Sequence, residues 1–385
     1  MIALTNCKAV TISDGIMEHA TILVEDGVIK AVGTEVEIPF DVEVVDLTGK
    51  WVTPGLIDAH SHLAMGEPGV RGGGDDDNEM TDPVTAHVRM IDSLDPWSIG
   101  ITEARKGGFT VMCTLPGSAN VIGGTGVAVK LKDANSVLDL VIPGTEVMKM
   151  ALGENPKSCY GEMKRMPLTR MGIGAVLREA LFNAKQYADE MEAAEKEGKP
   201  FKHNFKLDPL VPVVRGEMRC RVHCHRADDI LTAVRIGEEF GLDLVVEHCT
   251  EGFKVADILA KKQVKCVVGP LRLVPSKMEI WNCTMENPGL MEKAGCEIAL
   301  SADAQSFTRW LPEEAGLAMA YGLSEEMAFR SLTINAAKIL KLDHRMGSIE
   351  PGKDADLAIF DGHPFCNMTR CKATMVDGVF YFNEL

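Results

Sequence analysis

At 385 residues, with 46% hydrophobic and 25% charged side chains, the chain is long enough for one large domain with a small companion and has the composition of a folded globular protein. A net charge of -16 argues against a nucleic-acid partner, which calls for a basic stripe. No apolar run reaches membrane-spanning length, and the opening MIALTNCKAV lacks the basic-then-apolar layout of an export signal, so a cytoplasmic protein without a membrane partner is expected. Eleven cysteines, an odd number with no Cys-x-x-Cys pair, read as reduced thiols rather than a disulfide framework or a structural zinc site.

From Ile2 to Val52 the chain reads as short strands and turns, with Asp26-Gly27 a hairpin signal between alternating segments. The C-terminal stretches ADLAIFDG and KATMVDGVFYF, with Asp361-Gly362 and Asp377-Gly378, have the same style. Neither end alone supplies enough strands to bury two faces. Residues 1–52 plus 344–385 are therefore expected to pair into one small β-sandwich domain.

Residues 53–343 switch to apolar strands alternating with amphipathic helices: RCRVHC, DDILTAVRIGEEFG, LDLVVEHC, FKVADILAKK, KCVVGP, GLMEKAG, CEIALSAD. FTVMCTLPG and the stretch around EVMKMAL supply earlier strands, and LPEEAGLAMAYG and SEEMAFRSLTINAAKILK two later helices. About eight strands in parallel βα units predict an α/β fold, a closed (β/α)8 TIM barrel, with an open doubly wound sheet as the alternative. Two stretches break the rhythm. Residues 66 to 96 hold Gly72-Gly73-Gly74 and Asp75-Asp76-Asp77, an acidic loop, and Arg170 to Lys206 is a charged surface excursion. Gly123-Gly124-Thr125-Gly126 lacks phosphate-loop spacing and is read as a loop beside the pocket.

The chemistry starts at TPGLIDAHSHL. Residues i and i+2 of a strand share a face, so His60 and His62 can converge on one ion while Ser61 points away. In a parallel barrel, functional groups sit at the C-terminal strand ends. His223 and His225 end a later strand, His248 ends the next one, and Asp303 ends the strand CEIALSAD. A single strand-end histidine is more often structural. Polar groups closing four apolar strands at one edge are hard to explain as packing, and imidazoles with a carboxylate suit a divalent metal. Cys224 and Cys249, beside these histidines, should face the helices as core. Lys149, flanked by Met148 and Met150, would be costly to bury charged. It could bond Glu154 or another acid, or be carbamylated and bridge two ions.

The run PGLIDAHSHL, the strand-end His223 and His248, the Asp303 strand and the C-terminal GSIEPGKDADLAIFDG resemble the amidohydrolase superfamily over essentially the whole chain, most closely its imidazolonepropionase-like and prolidase-like members. The resemblance implies that His60, His62, His223, His248 and Asp303 surround the metal. His223-Cys224-His225-Arg226 through Ile230 follows the spacing of a prolidase-like strand when His223 is the ligand, which sets His225 one layer outward as a substrate or supporting group. Lys149 takes the place of the carboxylated lysine of binuclear members. Departures are the missing Lys-Ser-Gly-Tyr-Gly loop of imidazolonepropionases and Ala304-Gln305 where relatives carry His-Pro.

The expected function is metal-dependent hydrolysis of a C–N bond in a small-molecule substrate. One or two divalent ions are implied, zinc first, with iron or manganese as alternatives. Asp303 would act as general base, with His225 or His248 near the developing oxyanion. Arg226, Arg89 and Tyr160 are candidates for binding a substrate carboxylate. The rival readings are a mononuclear imidazolonepropionase-type cyclic amide hydrolase or deaminase, and a noncatalytic metal-binding protein on a barrel scaffold. A homo-oligomer is compatible with the resemblance.

Overall fold

The computed structural model describes residues 1–66, 76–304 and 307–385. Gly72-Gly73-Gly74 and Asp75 of the acidic loop, and Gln305, lie outside the described residues.

The N-terminal strands are β1 (Ile2–Val10), β2 (Ile16–Glu25), β3 (Val28–Gly33), β4 (Glu43–Asp46) and β5 (Trp51–Pro54). The barrel strands are β6 (Leu56–Ser61), β7 (Phe109–Thr114), β8 (Ile122–Lys130), β9 (Val147–Ala151), β10 (Arg219–Cys224), β11 (Leu244–His248), β12 (Lys265–Val268) and β13 (Ile298–Leu300). The last three, β14 (Leu357–Phe360), β15 (Cys371–Val376) and β16 (Val379–Asn383), return to the first sheet.

That terminal sheet runs β16-β15-β14-β5-β1-β2-β3, with β4 also paired to β1. It encloses Leu4, Ile22, Val24, Val52, Leu357, Ile359 and Met375, side chains drawn from both ends of the chain. All eight strands belong to one hydrogen-bonded sheet rather than two. The hairpins at Asp26-Gly27 and Asp377-Gly378 have positive φ at both turn residues (51°/79° and 49°/77°), as a two-residue primed turn requires. Their tips meet across Ala355, whose N–H donates to Gly27 O and whose carbonyl accepts from Gly378 N–H.

The second sheet runs β6 to β13 in chain order, the expected eight-stranded barrel. Its seam is closed by Ser301 Oγ donating to His60 O at 2.6 Å and His62 N–H to Ala304 O at 3.3 Å. One strand departs from the all-parallel expectation. β8 is antiparallel to both β7 and β9, because the few residues between Thr114 and Ile122 cannot hold a crossover helix. The Gly-rich stretch is part of β8 rather than a loop. A Cβ on Gly124 (φ +120°) would lie 2.3 Å from Val88 O, so glycine there lets the 84–89 segment run against the strand.

Helices cover the barrel as the apolar spacing dictates. Ala227–Phe240 buries Ile230, Ala233, Val234 and Ile236 and ends at Gly241 in the left-handed conformation. The predicted helix SEEMAFRSLTINAAKILK breaks into Glu325–Ser331 and Ile334–Ile339. Thr333 Oγ1 bonds back to Phe329 O, and the break frees Leu332 O to accept Ile57 N–H at the root of β6. Arg170–Lys196 is one 27-residue helix whose buried side includes Ile173, Leu177, Leu181 and Ala184, so the excursion is anchored on one face. Among the described residues no helix is long and apolar enough to cross a membrane.

Barrel and terminal sheet are joined by a buried ion cluster. Lys130, at the end of β8, places Nζ 2.7 Å from Asp354 Oδ2, 3.2 Å from Asp356 Oδ1 and in contact with Asp377.

Candidate metal centre

Alternation along β6 delivers His60 and His62 together, and Asp58 Oδ1 at the same strand accepts the His60 N–H at 3.1 Å. Asp303, from the turn after β13, places Oδ1 3.3 Å from His60 Nε2 and 3.2 Å from His62 Nε2. His223, His225 and His248 form a second group whose ligand atoms lie within 4.8 Å of one another. Their ring centroids are 4.4 to 4.7 Å apart, and His248 links the groups, 4.9 Å from the His60 ring and 3.9 Å from Asp303 Oδ2. Lys149 Nζ lies 3.1 Å from His60 Nε2. Glu154 is engaged elsewhere, its Oε2 accepting Glu279 N–H.

The orientation of each imidazole follows from what its outer nitrogen touches. His60 Nδ1 donates to Glu247 Oε2 at 2.7 Å, His62 Nδ1 to Leu115 O at 2.7 Å, and His248 Nδ1 to Gly269 O at 2.9 Å. These partners are acceptors only, so in a neutral ring the proton is on Nδ1 and the lone pair on Nε2, facing inward. His225 Nδ1 is held by Thr250 Oγ1 at 2.7 Å, and His223 Nε2 accepts from Asn155 Nδ2 at 3.3 Å. His248 Nε2 and Asp303 Oδ1 are buried without a hydrogen-bond partner. Leaving such atoms unpaired costs ~1–3 kcal/mol each, so the arrangement implies something for them to bind. Inward lone pairs, a carboxylate and outer nitrogens held by oxygen acceptors are what a divalent cation requires of its ligands.

The electrostatics point the same way. Burial drives the imidazoles of His223 and His225 well below their usual value and His248 to about 4, keeping them neutral. Burial also pushes Asp303 up, but His248, His60 and His62 outweigh it and hold the carboxyl well below the usual range. Burial lowers Lys149 to about 8, so a substantial fraction of the amine is neutral near physiological pH.

Backbone strain accompanies the site. His248 (φ +69°), Cys249 (+44°) and Asp303 (+48°) are non-glycine residues in the left-handed region. Register pairs His248 with Cys224, which regular alternation would put on the outer face. The left-handed turn brings the imidazole back to the pocket. Cys224 and Cys249 are fully buried core, as expected, and all eleven cysteines are free.

Of the sequence candidates, the structure gathers His60, His62, Lys149, His223, His248 and Asp303. It also brings in His225, which stacks on His248 at 20° within the cluster instead of standing a layer outward. Three others are not brought there. Arg89 is exposed and paired with Asp92, and Arg226 is held bidentately by Asp228. Tyr160 is fully buried with its hydroxyl on Asn120.

Four further charged residues escape the strand-end rule. Arg221 and Glu247 are fully buried and bonded to each other inside the barrel. Burial raises Glu247, but Arg221 and His60 bring it down to about 2. Glu279, also fully buried, turns Oε2 to Glu154 N–H and directs Oε1 at His223 and His225, 3.7 and 3.8 Å from their Nε2 atoms. Lys277 Nζ lies 2.6 Å from the same Oε1, out of hydrogen-bonding alignment, and bonds Asn155 Oδ1. A charged residue inside an apolar strand, as in VVEH and RCRVH, was the available signal for Glu247 and Arg221. For Glu279, in the short 3-10 turn Met278–Ile280, and Lys277 just before it, there is none.

Comparison with known proteins yields consistent likenesses. The amidohydrolase family pattern matches residues 242–382, and the NagA composite domain pattern matches residues 1–52. A solved amidohydrolase structure from Thermotoga maritima MSB8 superposes with a TM-score of 0.95 at 43% identity, covering 100% of both chains. The amidohydrolase tasK of Hapsidospora irregularis is 28% identical over 94% of this chain, which spans only 40% of that protein's length. An imidazolonepropionase from Fusobacterium nucleatum is 27% identical, over 83% of this chain and 78% of its own.

Proposed function

Because the chain belongs to the amidohydrolase family, we propose that it hydrolyses a carbon–nitrogen bond, of an amide or cyclic amide, in a small substrate with the help of bound divalent metal. The observation that carries this is the convergence of inward imidazole lone pairs on an unpaired carboxylate oxygen at the C-terminal ends of the barrel strands. His60, His62 and Asp303 would hold one ion and His223, His225 and His248 a second, with Lys149 beside His60 as the group to bridge them once carboxylated. Two three-ligand groups favour two ions over one. Zinc is the first choice, iron and manganese the alternatives.

Metal held there supplies acidity to a water and polarises a carbonyl. The rest falls to the side chains. The Asp303 carboxylate, ionised throughout the neutral range, takes the proton of the attacking water and passes it to the leaving nitrogen. His225, stacked on His248 with Nδ1 taken by Thr250 Oγ1, has only Nε2 for the pocket, and as a metal ligand it donates no hydrogen bond to the carbonyl oxygen. The imidazolonepropionase relatives make cyclic amides the first substrate class to try, ahead of dipeptides and N-acyl amino acids.

Elemental analysis of the purified protein tests the reading, followed by a hydrolysis screen over lactams and cyclic imidazolones, dipeptides and N-acyl amino acids. Stoichiometric metal with turnover of one class is expected. Metal-loaded protein that hydrolyses none of them would favour the noncatalytic alternative.

A further inference from the structure

Three ligand-bearing strands meet at a single ion pair that no metal-binding or proton-transfer role requires. Arg221 lies two residues before His223 on β10, and Glu247 immediately precedes His248 on β11. Arg221 Nε donates to Glu247 Oε1, and Arg221 Nη2 donates to Ala59 O at 2.6 Å, beside His60 on β6. The other carboxylate oxygen, Glu247 Oε2, is the 2.7 Å partner of His60 Nδ1. Arg221 and Glu247 are 0% exposed and His60 is 1% exposed.

Placing a guanidinium and a carboxylate in a barrel interior carries a desolvation cost of several kcal/mol per ion, and well-packed apolar side chains of similar size would commonly do as well for stability. The pair therefore needs another reason. His62 and His248 meet theirs with backbone carbonyls, which are neutral acceptors. Among the described histidines of the cluster, His60 alone hydrogen-bonds a carboxylate through Nδ1, and a carboxylate makes the opposite nitrogen a stronger donor to metal. Arg221 fixes which oxygen does this, because its Nε takes Oε1, with Nη2 anchored on Ala59 O, and leaves Oε2 for the imidazole.

We propose that Arg221 and Glu247 are positioning residues that lock His60 in the Nδ1–H tautomer and selectively tighten the metal position formed by His60, His62 and Asp303. This rests on the metal-centre reading above and adds a selectivity between its two halves. It predicts the effect of an isosteric change. In Glu247→Gln the Arg221 Nε still demands an acceptor, so the amide oxygen turns to Arg221 and the amide NH2 to His60. A donor facing Nδ1 forces the ring proton onto Nε2, into the place where metal binds.

The test is chelator competition on purified holoprotein, with metal per chain counted by elemental analysis. Glu247→Gln should lower the affinity of one ion by ~10–100-fold while an ion at His223, His225 and His248 is held as in wild type. Arg221→Lys, which keeps the charge and loses the fork, should move the same ion by less. Wild-type protein with 15N-labelled histidine supplies a readout independent of folding of the variants: His60 should carry its proton on Nδ1. Unchanged affinities in Glu247→Gln, equal weakening of both ions, or a wild-type His60 protonated on Nε2 would each overturn the proposal. A wild-type protein that takes up no metal would overturn the functional reading and this inference with it, whereas unchanged affinities in the variant leave the functional reading standing.

Discussion

Replacing Lys130 by methionine should loosen the seam between barrel and terminal sheet by about 3 kcal/mol near pH 8, and by clearly less at pH 5. Lys130 neutralises three carboxylates, but two keep another cation: Asp354 has Arg345 at 2.7 Å and Asp377 has Lys132 at 3.6 Å. Asp356 has Lys130 as its one cation partner among the described residues, and its Oδ2 is already without a hydrogen bond. The variant thus leaves one uncompensated buried charge, which sets the cost at the lower end of the ~3–5 kcal/mol range for a broken buried pair. The pH dependence follows from Asp356. Even beside Lys130, burial raises it from 3.8 to about 6, and losing the ammonium raises it further. A carboxyl whose folded value exceeds its unfolded one confers stability at low pH that is lost as pH rises through the folded value. The variant at pH 5 carries a protonated Asp356 and escapes most of the penalty; at pH 8 it cannot. Denaturant unfolding of both proteins at the two pH values measures this. Equal losses at pH 5 and pH 8, or a larger loss at pH 5, would refute the reasoning.

Asp303→Asn should keep the fold and lower kcat by ~10^2–10^4-fold, the range for loss of a general base, and steady-state kinetics with circular dichroism checks both. Glu247, held at about 2 against an ordinary 4.5, stabilises the fold above pH 4.5, and this is lost as pH falls through 2. The stability gap between wild type and Glu247→Gln should therefore narrow on acidification from pH 5 to 2, followed by equilibrium unfolding. Gly124→Ala forces a methyl to within 2.3 Å of Val88 O at φ +120°, and should cost ~2 kcal/mol or more by thermal unfolding.

Features governed by local chemistry were legible in the sequence. The Asp-Gly turns, the terminal strands without a second face to cover them, and the His60/His62 alternation each require only neighbouring residues. The strand-end rule then found His223, His248 and Asp303. The reversal of β8 was less visible because apolar runs carry no direction, although the short link before Ile122 was a hint. The outward place expected for His225 came from the resemblance; its ring stands 4.6 Å from that of His223, on the face that i, i+2 alternation itself points to. Glu247 meets a partner 187 residues away, and its role depends on a barrel already closed. Arg89, Arg226 and Tyr160 follow from residue type alone; local carboxylates claim the two guanidiniums, and the distant Asn120 claims the phenol.

The measurement that tests the central claim most directly is hydrolysis of the best substrate from the screen before chelation, after it, and after metal is restored. Turnover that disappears with the metal and returns with it is the predicted result. Turnover indifferent to metal removal would contradict the account.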